Sequence, residues 1–312
     1  MGFCVSDDIA VGVVGNMQVH LYLVVKNNTQ DRPMTLSTFR NVTASIALIG
    51  TFASPALAQD KSQIETLFDS MGLPDMLEIM REEGVSYGAE IGEGVFQGKP
   101  SPAWNAIVEG IYDTSMMRDR VLTDLAAELE GDDIAAIQTF FASELGVRIV
   151  DLEVAARRAL LDDTIKQASN EVAALAMADK TPRYLLVSEF VDANDLIETN
   201  VAGALNSNYA FFMGLMEGGA LGEGMSEDEV LANLWTQEPE IRQSTTEWVY
   251  AYSLLAYQPL SDDDLQAYID FSNTQAGRDI NTAMFASFDG VFEDISHALG
   301  LASTQVALSE EL

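Results

Sequence analysis

Two histidines and one cysteine are all that this chain holds of the side chains from which zinc sites and nucleophile–base pairs are most often built. Cys4 and His20 both lie near the start, so beyond residue 20 only His297 remains. Disulfides, thiolate chemistry and Cys/His zinc sites are excluded there. Basic residues are scarce as well: 16 Lys and Arg stand against 49 Asp and Glu, a net charge of −33. A surface of that sign repels phosphate backbones and anionic headgroups, which argues against nucleic acid and membrane surfaces as partners. From Gln59 onward no apolar run approaches the roughly 20 residues of a membrane-spanning helix. G-x-S-x-G is absent, and the glycine-rich stretch 218–224 lacks the lysine and preceding strand of a phosphate-cradling loop. These absences leave no catalytic residues, no metal and no cofactor to assign.

The first feature present is an export signal. From Met34 the chain has one charge, Arg40, then an apolar run from Val42 to Phe52, then Pro55 and the small-x-small triplet Ala56-Leu57-Ala58. That order matches a signal peptide over 34–58, with cleavage after Ala58 and Gln59 as the mature N-terminus. Residues 1–33 then read as an extension upstream of the true initiator. Removing three acids (Asp7, Asp8, Asp31) and three bases (Lys26, Arg32, Arg40) from 49 and 16 leaves 46 and 13, so the net charge stays −33. The expected location is periplasmic or secreted.

Strand signals are nearly absent, and apolar residues recur at helical spacing instead. Ile149, Leu152, Ala156, Leu160, Ala168, Val172 and Leu175 predict one buried stripe on a single long helix, ended by Thr181-Pro182. Ser226 and Ser261 each precede acidic residues and predict capped helix starts. Gly72, Gly84, Gly146, Gly277 and the 218–224 stretch are expected stops. The fold class is all-α, a helical bundle of about ten helices.

An internal correspondence organises the bundle. Residues 130–149 align with 261–280 without a gap at an offset of 131, pairing Ile134 with Leu265, Phe140 with Phe271, Gly146 with Gly277 and Ile149 with Ile280. Two tandem-duplicated helical units are expected, 59–189 and 190–312. Each aligned segment predicts an acidic helix start, an apolar stripe and a glycine corner into a second helix. Phe140-Phe141-Ala-Ser143-Glu-Leu-Gly146 and Phe271-Ser-Asn-Thr274-Gln-Ala-Gly277 resemble the hallmark of the bacterial secreted family called domain of unknown function 2059. In the second copy Ser272 replaces the usual second aromatic and Thr274 the usual serine. The resemblance implies an exported all-helical fold and carries no activity or catalytic residues.

Among candidate sites, Asp262, Asp263 and Asp264 read as a dipole-complementing helix start, because consecutive helical positions cannot converge on one ion. Asp162 and Asp163 read as a solvated helix face. His297, four residues after Glu293, reads as a helix-terminal histidine ahead of Gly300. Aromatic density is highest from Trp235 to Tyr257. Trp248 and Tyr252 share a helical face and, with Tyr209, are the candidate ligand-binding residues. Three functions remain open: a protein- or ligand-interaction module, a carrier of a small apolar molecule with a pocket between the halves, and a carboxylate-dependent hydrolase of cell-envelope material.

Overall fold

A computed structural model describes residues 55–95, 101–130, 134–220 and 226–310. The expected 1–33 extension, the signal segment up to residue 54, Cys4, His20 and most of the 218–224 stretch lie outside the described residues. Twelve helices and no strand are present among the described residues: α1 (Pro55–Ser70), α2 (Leu73–Val95), α3 (Pro102–Ile111), α4 (Thr114–Glu128), α5 (Ile134–Phe141), α6 (Glu144–Ala159), α7 (Asp163–Asp179), α8 (Pro182–Ala193), α9 (Leu196–Glu217), α10 (Glu227–Tyr257), α11 (Asp262–Ser272) and α12 (Gln275–Glu310). The all-α fold class holds. The expected processing point after Ala58 falls in the first turns of α1, and the expected unit boundary at 189/190 falls inside α8.

The caps form as their chemistry requires. The Ser226 hydroxyl accepts from the Glu229 backbone N–H while Glu229 accepts from the Ser226 N–H, a complete capping box. Ser261 caps α11 and Thr181 caps α8, with Pro182 in the first turn. Gly72 takes φ +65° between α1 and α2, a turn closed to side chains without strain.

Three expectations are corrected. The single helix over 149–175 is two helices. The exposed Asp162 carboxylate accepts from the N–H groups of Thr164 (2.8 Å) and Ile165 (3.2 Å), so it caps α7, with the exposed Asp163 in the first turn. Those hydrogen bonds hold its carboxyl below the usual range. Gly72 and Gly218 do stand at helix ends, but Gly84, Gly146 and Gly277 do not stop helices. Gly84 sits within α2, where a Cβ would collide with the Tyr112 ring, and Gly88 one turn on makes room for Val108. Gly146 and Gly277 lie in the first turns of α6 and α12. Finally, α12 runs unbroken to Glu310, so His297 is mid-helix, and its Nε2 lies 3.0 Å from Glu217 of α9.

The two corners share one construction. The Ser143 hydroxyl accepts from Gly146 N–H at 3.0 Å and donates to the Phe140 carbonyl at 2.6 Å. The Thr274 hydroxyl accepts from Gly277 N–H at 3.0 Å and donates to the Phe271 carbonyl at 2.7 Å. A Cβ on either glycine would lie inside the contact distance of that same carbonyl oxygen. The glycine is therefore required by a close backbone approach, not by a positive φ. The phenylalanines of the two corners stack on each other, with ring centroids 3.8 Å apart and planes at 4°.

Packing interlocks the chain. α4 packs on α12 and α6 packs on α10, while α9 runs along α12. One core joins α1–α5 to α9 and α12, through Leu67, Trp104, Leu125, Phe211, Phe288 and Leu299. A second joins α6–α8 to the end of α10 and to α11, through Ile149, Val187, Phe190, Tyr257 and Leu265. Each core draws on both expected units, so neither unit buries its apolar faces alone.

Candidate functional site

Two features of the second core stand apart from ordinary packing. The first is a buried polar cluster on α6. Arg157 is 2% exposed and Glu83 of α2 is 7% exposed; Nε donates to Oε1 at 3.1 Å and Nη2 to Oε2, a two-pronged pair. The guanidinium also lies 5.7 Å from the centre of the Trp248 ring. One turn back along α6, the Glu153 carboxylate accepts from the Tyr257 hydroxyl at 2.7 Å and the Tyr268 hydroxyl at 3.3 Å. Tyr252 donates to the Glu153 backbone carbonyl at 3.2 Å. Burial pushes the Glu153 carboxyl up to about 7, against the opposing pull of the two tyrosine hydrogen bonds. Burial, followed by the charge of Glu153, raises all three tyrosines well above their usual range. The group is therefore a carboxyl that titrates near neutral pH, set among phenols.

Sequence patterning does not single this cluster out, although a signal is present. Glu153 and Arg157 lie four apart, directly beside the buried Ile149, Ala156 and Leu160 and the half-buried Leu152. Charges on the flank of an apolar helical stripe are forced inward when the covering helix is wide, and here α10 and α2 both reach α6.

Of the predicted ligand-binding residues, the structure brings two together. Trp248 and Tyr252 stack with centroids 5.1 Å apart and planes at 20°. The Trp248 indole N–H has no hydrogen-bond partner among the described residues. Tyr209 is elsewhere: it packs against the first core, and its hydroxyl donates to Glu227 at 2.5 Å. The motif residues Phe140, Gly146, Phe271 and Gly277 meet at the stacked corners and have a structural part.

The second feature is a groove of about 530 Å³ between α7 and the end of α10. Val172, Leu175 and Ala176 form one wall and Leu254 and Leu260 the other, with Thr181, Arg183 and Asp262 at one end. Arg183 closes that end. It pairs with Asp262 at 2.6 Å and donates to the carbonyls of Tyr257 and Leu260, neutralising the open C-terminal end of α10. Val172 is 60% exposed and Leu175 66%. The stripe read from sequence as buried is thus buried on α6 and uncovered on α7. On α10 the groove begins at Leu254, two residues beyond Tyr252, and neither Trp248 nor Tyr252 lines it.

Other raised carboxyls do not build a site. Asp289 of α12 is pushed up to about 6, by burial and then by Glu293, and lies where a Cβ on Gly203 would come within 2.5 Å of it. Among the described residues no group of three or more His, Cys, Asp or Glu is placed to hold a metal ion, and no helix is long and apolar enough to cross a membrane.

No curated protein and no solved structure matches the chain. Residues 115–174, from the start of α4 to the middle of α7, take in the first corner, Glu153, Arg157 and Val172, but not the second corner. That segment matches the family described as "Uncharacterized protein conserved in bacteria (DUF2059)", to which this part of the chain is similar.

Proposed function

We propose that this chain is an exported, internally duplicated helical protein that works by binding, with the α7–α10 groove as its binding face. One observation carries the reading: Ile165, Ala168, Val172 and Leu175 keep a helical apolar spacing yet stand exposed on the surface. A protein with a net charge of −33 has polar residues to spare for such a face. The carrier reading looks for a pocket near Trp248 and Tyr252, where Arg157 lies over the indole ring and Tyr252 bonds the Glu153 carbonyl, and neither aromatic lines the groove. The hydrolase reading needs two carboxylates across a cleft. Glu153 is surrounded by phenols, and neither it nor Asp289 lines the groove. Export rests on the 34–58 signal, and duplication on the 131-residue correspondence and the matching corners.

The test is photo-crosslinking from positions 172 and 175 in cells of the native host, with exposed Glu128 on α4 as the control site. An adduct of discrete mass at 172 and 175 but not at 128 is expected. Equal or absent labelling at all three positions would overturn the binding face. The mass of the same purified protein reports processing, with Gln59 expected as the first residue.

A further inference from the structure

The α7 stripe has a counterpart within the same chain. At the offset of 131, Ile165, Ala168, Val172 and Leu175 correspond to Ser296, Leu299, Ser303 and Val306 of α12. Those four are all buried. Leu299 and Val306 belong to the core that includes Phe211, Phe212 and Leu215 of α9, the helix that runs along α12. In the second half, then, this face is covered by a helix. In the first half the same positions hold four apolar residues, which stand exposed among the described residues.

From that asymmetry we infer that the exposed α7 stripe, of which Val172 and Leu175 also line the groove, receives an amphipathic helix of a partner protein, with apolar residues at heptad spacing and basic residues flanking them. The inference rests on the binding face proposed above. Steps of three, four and three from Ile165 to Leu175 are the a-and-d spacing of a helix–helix seam. The seam is small at Ala168, which allows close approach, and rises about 15 Å along α7. Its rim is acidic on balance: Asp162, Asp163, Glu171 and Asp179 stand exposed around it, against Lys166 and the exposed C-cap Lys180. A second copy is the wrong partner on charge. An antiparallel pair would set Ile165 against Leu175 and Ala168 against Val172, with the dyad at residue 170. Asn170 would then sit on the dyad, with Glu171 of both copies beside it, between two molecules of −33 each. A helix carrying Lys or Arg beside its apolar seam answers both the stripe and the rim.

The probe is a synthetic leucine–lysine peptide of about five helical turns, leucines at the a and d positions, titrated into the full chain at physiological salt and followed by fluorescence anisotropy. A leucine–glutamate peptide of the same pattern is the charge control. The variant is Val172→Ser with Leu175→Ser, which leaves every charge in place; both sites are exposed, so its thermal midpoint should match the parent. Binding of the lysine peptide, weakened about tenfold or more in the variant and absent for the glutamate peptide, is the expected result. Equal binding to parent and variant would mean general attraction to an acidic protein and would overturn the inference. No binding of the lysine peptide, or equally tight binding of the glutamate peptide, would do the same. So would a parent that sediments as a dimer while the variant is a monomer, since a second copy would then cover the face. If crosslinks form at 172 and 175 but the lysine peptide fails, the binding face stands and the basic helix falls.

Discussion

Two helices leave identical corners and then diverge. α6 and α12 start from the same hydroxyl cap, the same buried glycine and the same stacked phenylalanine, and they align without a gap. Where α6 carries Glu153 and Arg157, α12 carries Met284 and Phe288. Phe288 is 1% exposed in the first core, while Arg157 is 2% exposed against Glu83 and Trp248. Beyond these positions α12 continues beneath α9, whereas the chain of α6 breaks at Leu160–Asp162 and turns α7 outward. The corner is thus local chemistry that any surroundings accept. The course of the helix after the corner is decided by its neighbour, and the buried charges of α6 are not demanded by the corner, because its twin does without them.

The strongest way to break this comparison is at Arg157. Arg157→Ala leaves the Glu83 carboxylate buried without its partner and should cost about 4 kcal/mol in urea unfolding. Replacing both charges, Arg157→Met with Glu83→Leu, should recover most of that loss, as the apolar twin on α12 suggests. Failure of the double variant to recover would show that the charges are required by the fold after all. Glu153 tests the same contrast by pH. Its folded pKa of about 7 lies above the ordinary 4.5, so its proton is held more tightly in the folded state. The acid form's full contribution is present below 4.5, is lost as pH rises toward 7, and is gone above it. Glu153→Gln should therefore stabilise by about 3 kcal/mol at pH 8 and by about 1 kcal/mol at pH 5. A gain that does not change with pH would mean that Glu153 is not the titrating group. At the corners themselves, Gly146→Ala and Gly277→Ala should each cost about 2 kcal/mol or more, because the carbonyl in the way belongs to the backbone. Unequal costs would show that the two turns are alike in hydrogen bonding only.

Much of the fold is legible in the sequence, and the gaps have physical causes. Helical class, the caps at Ser226, Ser261 and Thr181, and the pairing of the two corners all arise from short-range chemistry. Glycine misleads at Gly84, Gly146 and Gly277, because a glycine that ends a helix and one that admits a neighbour look alike in sequence. The break at Asp162 is hidden because an acidic pair inside an apolar period suits a solvated face and an N-cap equally well. For the candidate site, the i, i+4 spacing of Trp248 and Tyr252 joins them in sequence as in space. Tyr209 lies on another helix, where no periodicity connects it to them. The exposure of the α7 stripe is hidden for the simplest reason: spacing reports that a face is apolar, not whether anything lies against it.

That last point yields the smallest predicted effect and the sharpest contrast. Leu175 and Leu299 are the same residue type on stripes of the same spacing, one 66% exposed and the other 2%. Leu175→Ser removes little from the isolated chain, because its side chain already meets water, and should shift unfolding by no more than about 0.5 kcal/mol. Leu299→Ser leaves a void and an unpaired hydroxyl in the first core and should cost about 3 kcal/mol or more. Chemical denaturation of both variants in one buffer reads the difference directly. A large cost at Leu175 would mean that the isolated chain already covers the α7 face, and the groove would then be core. A cost near zero leaves an apolar seam whose helical spacing contributes nothing to folding alone, and that is the behaviour of a surface kept for a partner.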